Sequence, residues 1–138
     1  MKRTGLFLAL CVLLMDVAIG QTVQRQTQSD RQYGEALDLF KKEKYAVAQR
    51  LFDKCYTSTV ANADMKAEAC YYAAVCSEKL RNDDAEFRIN EFMRLYPQSR
   101  HKNMIQMSLG NVFFDKEEYN KALHEYLQVE GAAVEYNH

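Results

Sequence analysis

Apolar residues in this chain recur at helical spacing, are interrupted by short charged runs, and then return with the same order about 37 residues later. Tyr33, Ala36, Leu37, Leu39 and Phe40 fall on one helical face. Lys41 to Lys44 break the pattern, and Tyr45, Ala48, Leu51, Phe52 and Cys55 resume it. The next stretch runs from about Ala63 to Leu80, turns at Arg81-Asn82-Asp83-Asp84 and continues through Ala85, Phe87, Ile89, Phe92 and Leu95. The third runs from Met104 to Phe114, turns at Asp115 to Glu118 and continues through Tyr119, Ala122, Leu123, Tyr126 and Val129. Each unit predicts a helical hairpin, which makes the chain all-α with units at 29–65, 66–102 and 103–138.

Three phases carry the repeat. Small residues return at Ala36, Ala73 and Gly110 and again at Ala48, Ala85 and Ala122, while a large apolar residue returns at Phe52, Ile89 and Tyr126. A period of this length signals a stacked array, because one hairpin cannot bury its apolar face alone and must pack on its neighbours. Function is then expected on an extended surface. Small residues let paired helices approach closely, and Ala122 is expected to face Gly110 at the tightest such crossing. Asp83 followed by Glu86 reads as a capping-box variant that starts the second helix of the middle unit. Tyr96-Pro97 ends that helix, because the residue before proline is driven out of the helical region, and Ser99 is placed to cap the next.

The chain ends read differently. Residues 1–20 have the form of an export signal: Lys2 and Arg3, then Leu6 to Met15 unbroken and apolar, then Ala18-Ile19-Gly20 as a small-x-small cleavage site. Ten apolar residues fall well short of the roughly 20 needed to span a bilayer. Residues 21–28 read as a flexible polar leader. At the other end, Glu135-Tyr136-Asn137-His138 stands about where a fourth unit would begin with no polar capping helix before it. The expectation is the N-terminal part of a longer array, with an open apolar flank on the third unit.

Charge narrows the partners. Without Lys2, Arg3 and Asp16 the 18 basic and 19 acidic residues fall to 16 and 18, and no basic face is concentrated enough to suit nucleic acid. Beyond residue 20 three cysteines remain, Cys55, Cys70 and Cys76. Cys70 and Cys76 lie about 9 Å apart along one helix, out of disulfide reach, so any bridge involves Cys55. As small apolar residues, all three suit helix interfaces.

With the repeat laid out, the chain resembles the tetratricopeptide repeat family, whose unit is normally 34 residues. Leu109-Gly110, Phe113, Tyr119, Ala122 and Tyr126 match that family's signature, and Pro97 matches the proline that closes its second helix. The middle unit adds Ala73 and Ala85, and the first adds Ala36, Tyr45, Ala48 and Phe52. No unit has the tryptophan of the first signature position, Asn82 replaces an aromatic, and the outer units lack the closing proline. The resemblance implies a right-handed superhelical solenoid, and the longer unit is similar to that of repeat proteins exported into the bacterial envelope. It also implies that first helices line a concave groove for a peptide or partner helix. Transferred by phase, that groove is Tyr33, Leu37 and Phe40, then Cys70, Ala74 and Ser77, then Met107, Asn111 and Phe114.

Asn111 alone reads as a solvated polar residue, since the lysines of a carboxylate clamp are missing from these phases. Tyr71 falls off phase and is expected exposed, whereas Tyr45, Tyr119 and Tyr126 read as core or groove wall. His101, His124 and His138 are scattered, lack metal-ligand spacing and are expected at the surface. No phosphate loop is present. Asp83-Asp84 and Glu117-Glu118 sit at helix starts, where the dipole favours acidic side chains. These readings point to a non-catalytic scaffold of the cell envelope, in the periplasm or at the outer membrane, with a protein or peptide partner. They imply no metal, cofactor, nucleic acid or transmembrane span after cleavage. Two alternatives stand beside it: a segment that docks further repeats or self-associates through its uncapped third unit, and a thiol-active protein using Cys55, Cys70 or Cys76.

Overall fold

A computed structural model describes residues 28–129 together with Gln21, Val23 and Gln24. Residues 1–20, read from the sequence as an export signal, and the last stretch from 130 lie outside the described residues. Those described form six helices and no strand: α1 (28–41), α2 (Tyr45–Thr57), α3 (Ala63–Lys79), α4 (Ala85–Leu95), α5 (Lys102–Asp115) and α6 (Tyr119–Leu127). Gln21, Val23 and Gln24 of the polar leader are also helical, and Ser29 just beyond it is buried, its Oγ 3.4 Å from Met65 Sδ.

Contacts define the directions. Within hairpins the helices run antiparallel: Tyr33 meets Phe52 while Phe40 meets Tyr45, Tyr71 meets Phe92 while Ser77 meets Asp84, and Gln106 meets Glu125 while Phe113 meets Lys121. Like helices of adjacent hairpins run parallel. Tyr71 reaches Met104 at 3.8 Å, Glu78 reaches Asn111 at 3.1 Å and Arg81 reaches Asp115 at 3.2 Å, from α3 and its C-terminal turn to α5. From α2 to the α4 hairpin, Gln49 meets Asn82 at 3.3 Å and Asp53 meets Arg88 at 2.8 Å. These partners stand 33 to 35 residues apart, not 37, so successive like helices are staggered by about one helical turn.

All three hairpin turns use one device. Glu43, Arg81 and Glu117 take positive φ of 58°, 55° and 61°. The next amide bonds back to a carbonyl five residues earlier, Lys44 to Leu39, Asn82 to Ser77 and Glu118 to Phe113, which is the Schellman ending. Charged residues occupy the position where glycine is the usual choice. Arg81 comes 38 residues after Glu43 and 36 before Glu117, whereas Ala48, Ala85 and Ala122 keep the 37-residue spacing. In the middle hairpin the first helix therefore ends one residue later in the repeat and the turn is one residue shorter.

Helix starts depart from the sequence reading in one case. Asn62 caps α3 by accepting the Met65 amide at 2.7 Å, and Ser99 accepts the His101 amide at 3.1 Å at the entrance to α5. The Asp83 and Glu86 capping box does not form. Asp84 is the N-cap of α4, and its carboxylate is occupied by Ser77 Oγ at 2.5 Å and Arg88 Nε at 2.6 Å. Those bonds hold the carboxyl below its ordinary range even though burial alone would raise it.

The core has two parts. Ala36, Ala48, Phe52, Cys55, Ala69, Ala73 and Cys76 pack the first two hairpins together, and Ile89, Phe92, Ile105, Leu109, Phe113 and Ala122 centre the second part. Phe40 and Tyr72 border both. At the α5–α6 crossing the group nearest Gly110 is the ring of Tyr126, not Ala122: a methyl added there would overlap three ring atoms. Gly110→Leu is expected to cost about 1–3 kcal/mol in urea unfolding. The loss should shrink in a Tyr126→Ala background; an equal loss in both backgrounds would contradict the contact.

Candidate binding groove

Between α1, α3 and α5 the parallel stacking leaves a trough of about 400 Å³. Phe40 closes one end. From α3 come Tyr71, Tyr72, Val75 and Lys79, and from the α5 side His101, Met104, Met107, Ser108 and Asn111. Met104 and Met107 are more than half exposed. Flexible thioethers beside aromatic rings suit a surface that adapts to an apolar guest.

Three of the transferred groove positions lie here: Phe40, Met107 and Asn111. Phe114 stands in an adjoining recess with Glu78, Lys79, Arg81, Asn111 and Asp115, and it is 56% exposed. Tyr33 and Leu37 are half-buried against the first core cluster, with Tyr33 edge-on to Phe52 at 5.8 Å. The middle unit departs most: Ser77 and Ala74 are fully buried, and Cys70 lies on the far side of α3 in a recess with Asp53, Arg88 and Glu91. The α3 residues that face the groove are instead Tyr71, Tyr72, Val75 and Lys79. Ala36, Ala73 and Gly110 are buried at the same phase in all three units, so α3 keeps its register, and the groove uses the side of α3 that faces α5.

Other positions are corrected by packing. His101 is only 9% exposed: its ring lies flat on Tyr71 at 3.8 Å, and Nε2 is 3.0 Å from both carboxylate oxygens of Glu68. Tyr71 itself is buried, so the tyrosine outside the repeat phase is the platform for that stack. Arg100 joins Glu68 at 2.9 Å. Burial would raise the Glu68 carboxyl, but hydrogen bonds from Arg100 and His101 and their charge bring it below the ordinary value. Asn111 is half-buried and paired rather than simply solvated: it accepts from Tyr126 Oη at 2.9 Å and donates to Glu78 Oε1 at 3.1 Å. Glu78 is buried, and its other oxygen, without a hydrogen bond, has the Lys79 ammonium 3.4 Å away. Tyr119 is 57% exposed against Phe114, neither core nor groove wall.

Chemistry at the remaining candidates is quiet. The three thiols are free; Cys55 and Cys76 are fully buried. Burial raises the Cys55 thiol and pushes Cys70 up to about 11 and Cys76 up to about 12, which holds them protonated and poorly nucleophilic at neutral pH. His124 is exposed and His138 lies outside the described residues. Among the described residues no three His, Cys, Asp or Glu side chains are placed to share a metal ion, and no helix is long and apolar enough to cross a membrane. No family model matches the chain, and comparison with curated proteins and with solved structures returned no match.

Sequence reasoning missed Tyr72, Val75, Lys79, Met104, Ser108 and His101 as lining residues. Met104 stands three residues before Met107 in the same helix and was the available signal. Folding holds the Glu68 and Asp84 carboxyls below their unfolded values, so their contribution is present above the unfolded range and is lost as pH falls through the folded values. Stability should therefore be flat near neutrality and fall on acidification below the ordinary carboxylate range. In Glu68→Gln the acid-dependent loss should be smaller in denaturant titrations; an unchanged pH profile would remove Glu68 from the account.

Proposed function

We propose that this protein is a non-catalytic binding scaffold of the tetratricopeptide type. Its groove between α1, α3 and α5 holds an apolar segment of another protein. The observation that carries the reading is the groove itself: half-exposed Met104 and Met107 opposite Tyr72 and Val75, with Lys79, Ser108 and Asn111 as polar points at the margin. Apolar floor with a few convergent polar groups is the usual composition of a recognition site. Parallel stacking of like helices, small residues at the crossings and a Schellman turn in every hairpin support a solenoid of this type. The export-signal pattern at 1–20 supports a place in the cell envelope.

Selection of short peptides from an unbiased library tests the reading. Bound peptides should share an apolar run, compete with one another, and lose at least about tenfold in affinity for Met107→Asp. Peptides that bind wild type and Met107→Asp equally, or none enriched at all, would sink the groove reading.

A further inference from the structure

Among the described residues, Glu78 Oε2 is the buried side-chain polar atom left without a hydrogen bond, on a residue only 7% exposed. Its other oxygen accepts from Asn111 Nδ2 at 3.1 Å. Lys79 brings its ammonium to 3.4 Å from Oε2 without completing a hydrogen bond. Neighbours in a helix point about 100° apart, so Lys79 meets Glu78 only by folding sideways over it. A buried carboxylate oxygen without a donor is costly, and a donor supplied from outside therefore gains most at this atom.

Glu78 lines a recess of about 280 Å³ with Lys79, Arg81, Asn111, Phe114 and Asp115. Its acids are held in place, Glu78 by burial and Asn111, and Asp115 with a side chain 31% exposed. Its bases end long exposed side chains, Lys79 at 42% and Arg81 at 76%, with Arg81 3.2 Å from Asp115. Exposed pairs of this kind contribute little, so Lys79 can swing out at small cost. The half-exposed Phe114 ring adds a face that attracts a cation. An entering anion would meet two carboxylates, whereas a cation meets a fixed acid and a ring. From this we infer that the recess binds a basic side chain, arginine or lysine, of the guest segment. Its charged group takes the place of the Lys79 ammonium, donates to Glu78 Oε2 and lies against Phe114. The inference rests on the groove reading, because the recess shares Lys79 and Asn111 with the groove and extends it along α5. Met107 and Phe114 stand seven residues apart on that helix, about 10 Å along its axis, which an extended chain covers in about three residues. The basic residue belongs about three positions from the guest's apolar contact with Met107.

Titration of the full chain with n-butylguanidinium, followed by NMR, tests the recess without a peptide. Saturable shifts should appear at the Asn111 side-chain amide and the Phe114 ring and be absent with neutral N-butylurea. Glu78→Gln, which can still accept from Asn111, should weaken binding at least about tenfold, and Lys79→Ala, which removes the competing ammonium, should tighten it. No saturable shift up to about 50 mM in either wild type or Lys79→Ala, or equal shifts with N-butylurea, would overturn the inference. Peptides selected on the groove should carry arginine or lysine about three positions from the apolar run and lose about tenfold on its replacement by alanine. Peptides that bind through Met107 without such a residue overturn this inference and leave the groove reading standing. If no peptide binds, the groove reading falls and the guanidinium titration alone decides whether the recess takes a cation.

Discussion

The ring of Tyr72 is the contact on which the rest of the array depends. It stacks on Phe52 at 5.1 Å and 16°, meets Phe40 edge-on at 5.1 Å, touches Tyr71 at 5.0 Å and stands 6.2 Å from His101. Pairs of this kind contribute about 0.5–1.5 kcal/mol each beyond the area they bury. More important is their placement. Phe52 belongs to the first core cluster and Tyr71 to the second, and among the described residues Tyr72 and Phe40 are the side chains packed against both, alongside α3, which supplies buried residues to each. Stacked hairpins are stable through such neighbour contacts, since each hairpin alone buries too little.

The same residues shape the groove. Phe40, Tyr71 and Tyr72 line it because they bridge successive first helices, and a residue that bridges helices necessarily faces the valley between them. Its wall is thus set by folding, and on the proposed reading that reduces the ordering that binding would have to offset. Polar networks fix the two ends of the α5 wall. Glu68, Arg100 and His101 hold the start of the helix, and the Tyr126, Asn111 and Glu78 chain ties its later part to α6 and α3. Between them lie Met104 and Met107, both more than half exposed, and buried Ser108.

Helices, hairpin boundaries and most core positions were legible in the amino-acid pattern. The starts of α2, α4 and α6 at Tyr45, Ala85 and Tyr119 fall where apolar spacing resumes after each charged run. The groove was legible only in part, for a definable reason. In the middle unit the groove is lined by Tyr71, Tyr72, Val75 and Lys79, on the side of α3 toward α5, whereas transfer by phase selects Cys70, Ala74 and Ser77, of which two are fully buried and one faces Asp53 and Arg88. His101 and Asn111 were misplaced for a second reason: their partners Glu68 and Glu78 lie 33 residues away, at a stagger that repeat alignment at 37 conceals. Phase alignment locates equivalent residues. It does not locate touching ones.

Coupling of the two cores through Tyr72 is the central claim, and hydrogen exchange under increasing denaturant measures it directly. In the wild-type chain the amides of α1–α2 and of α5–α6 should lose protection together, in one transition. Tyr72→Ala should cost about 3–5 kcal/mol and separate the two sets, with one hairpin opening before the other. A loss under about 1 kcal/mol with both sets still opening together would show that the cores are joined by something other than this ring.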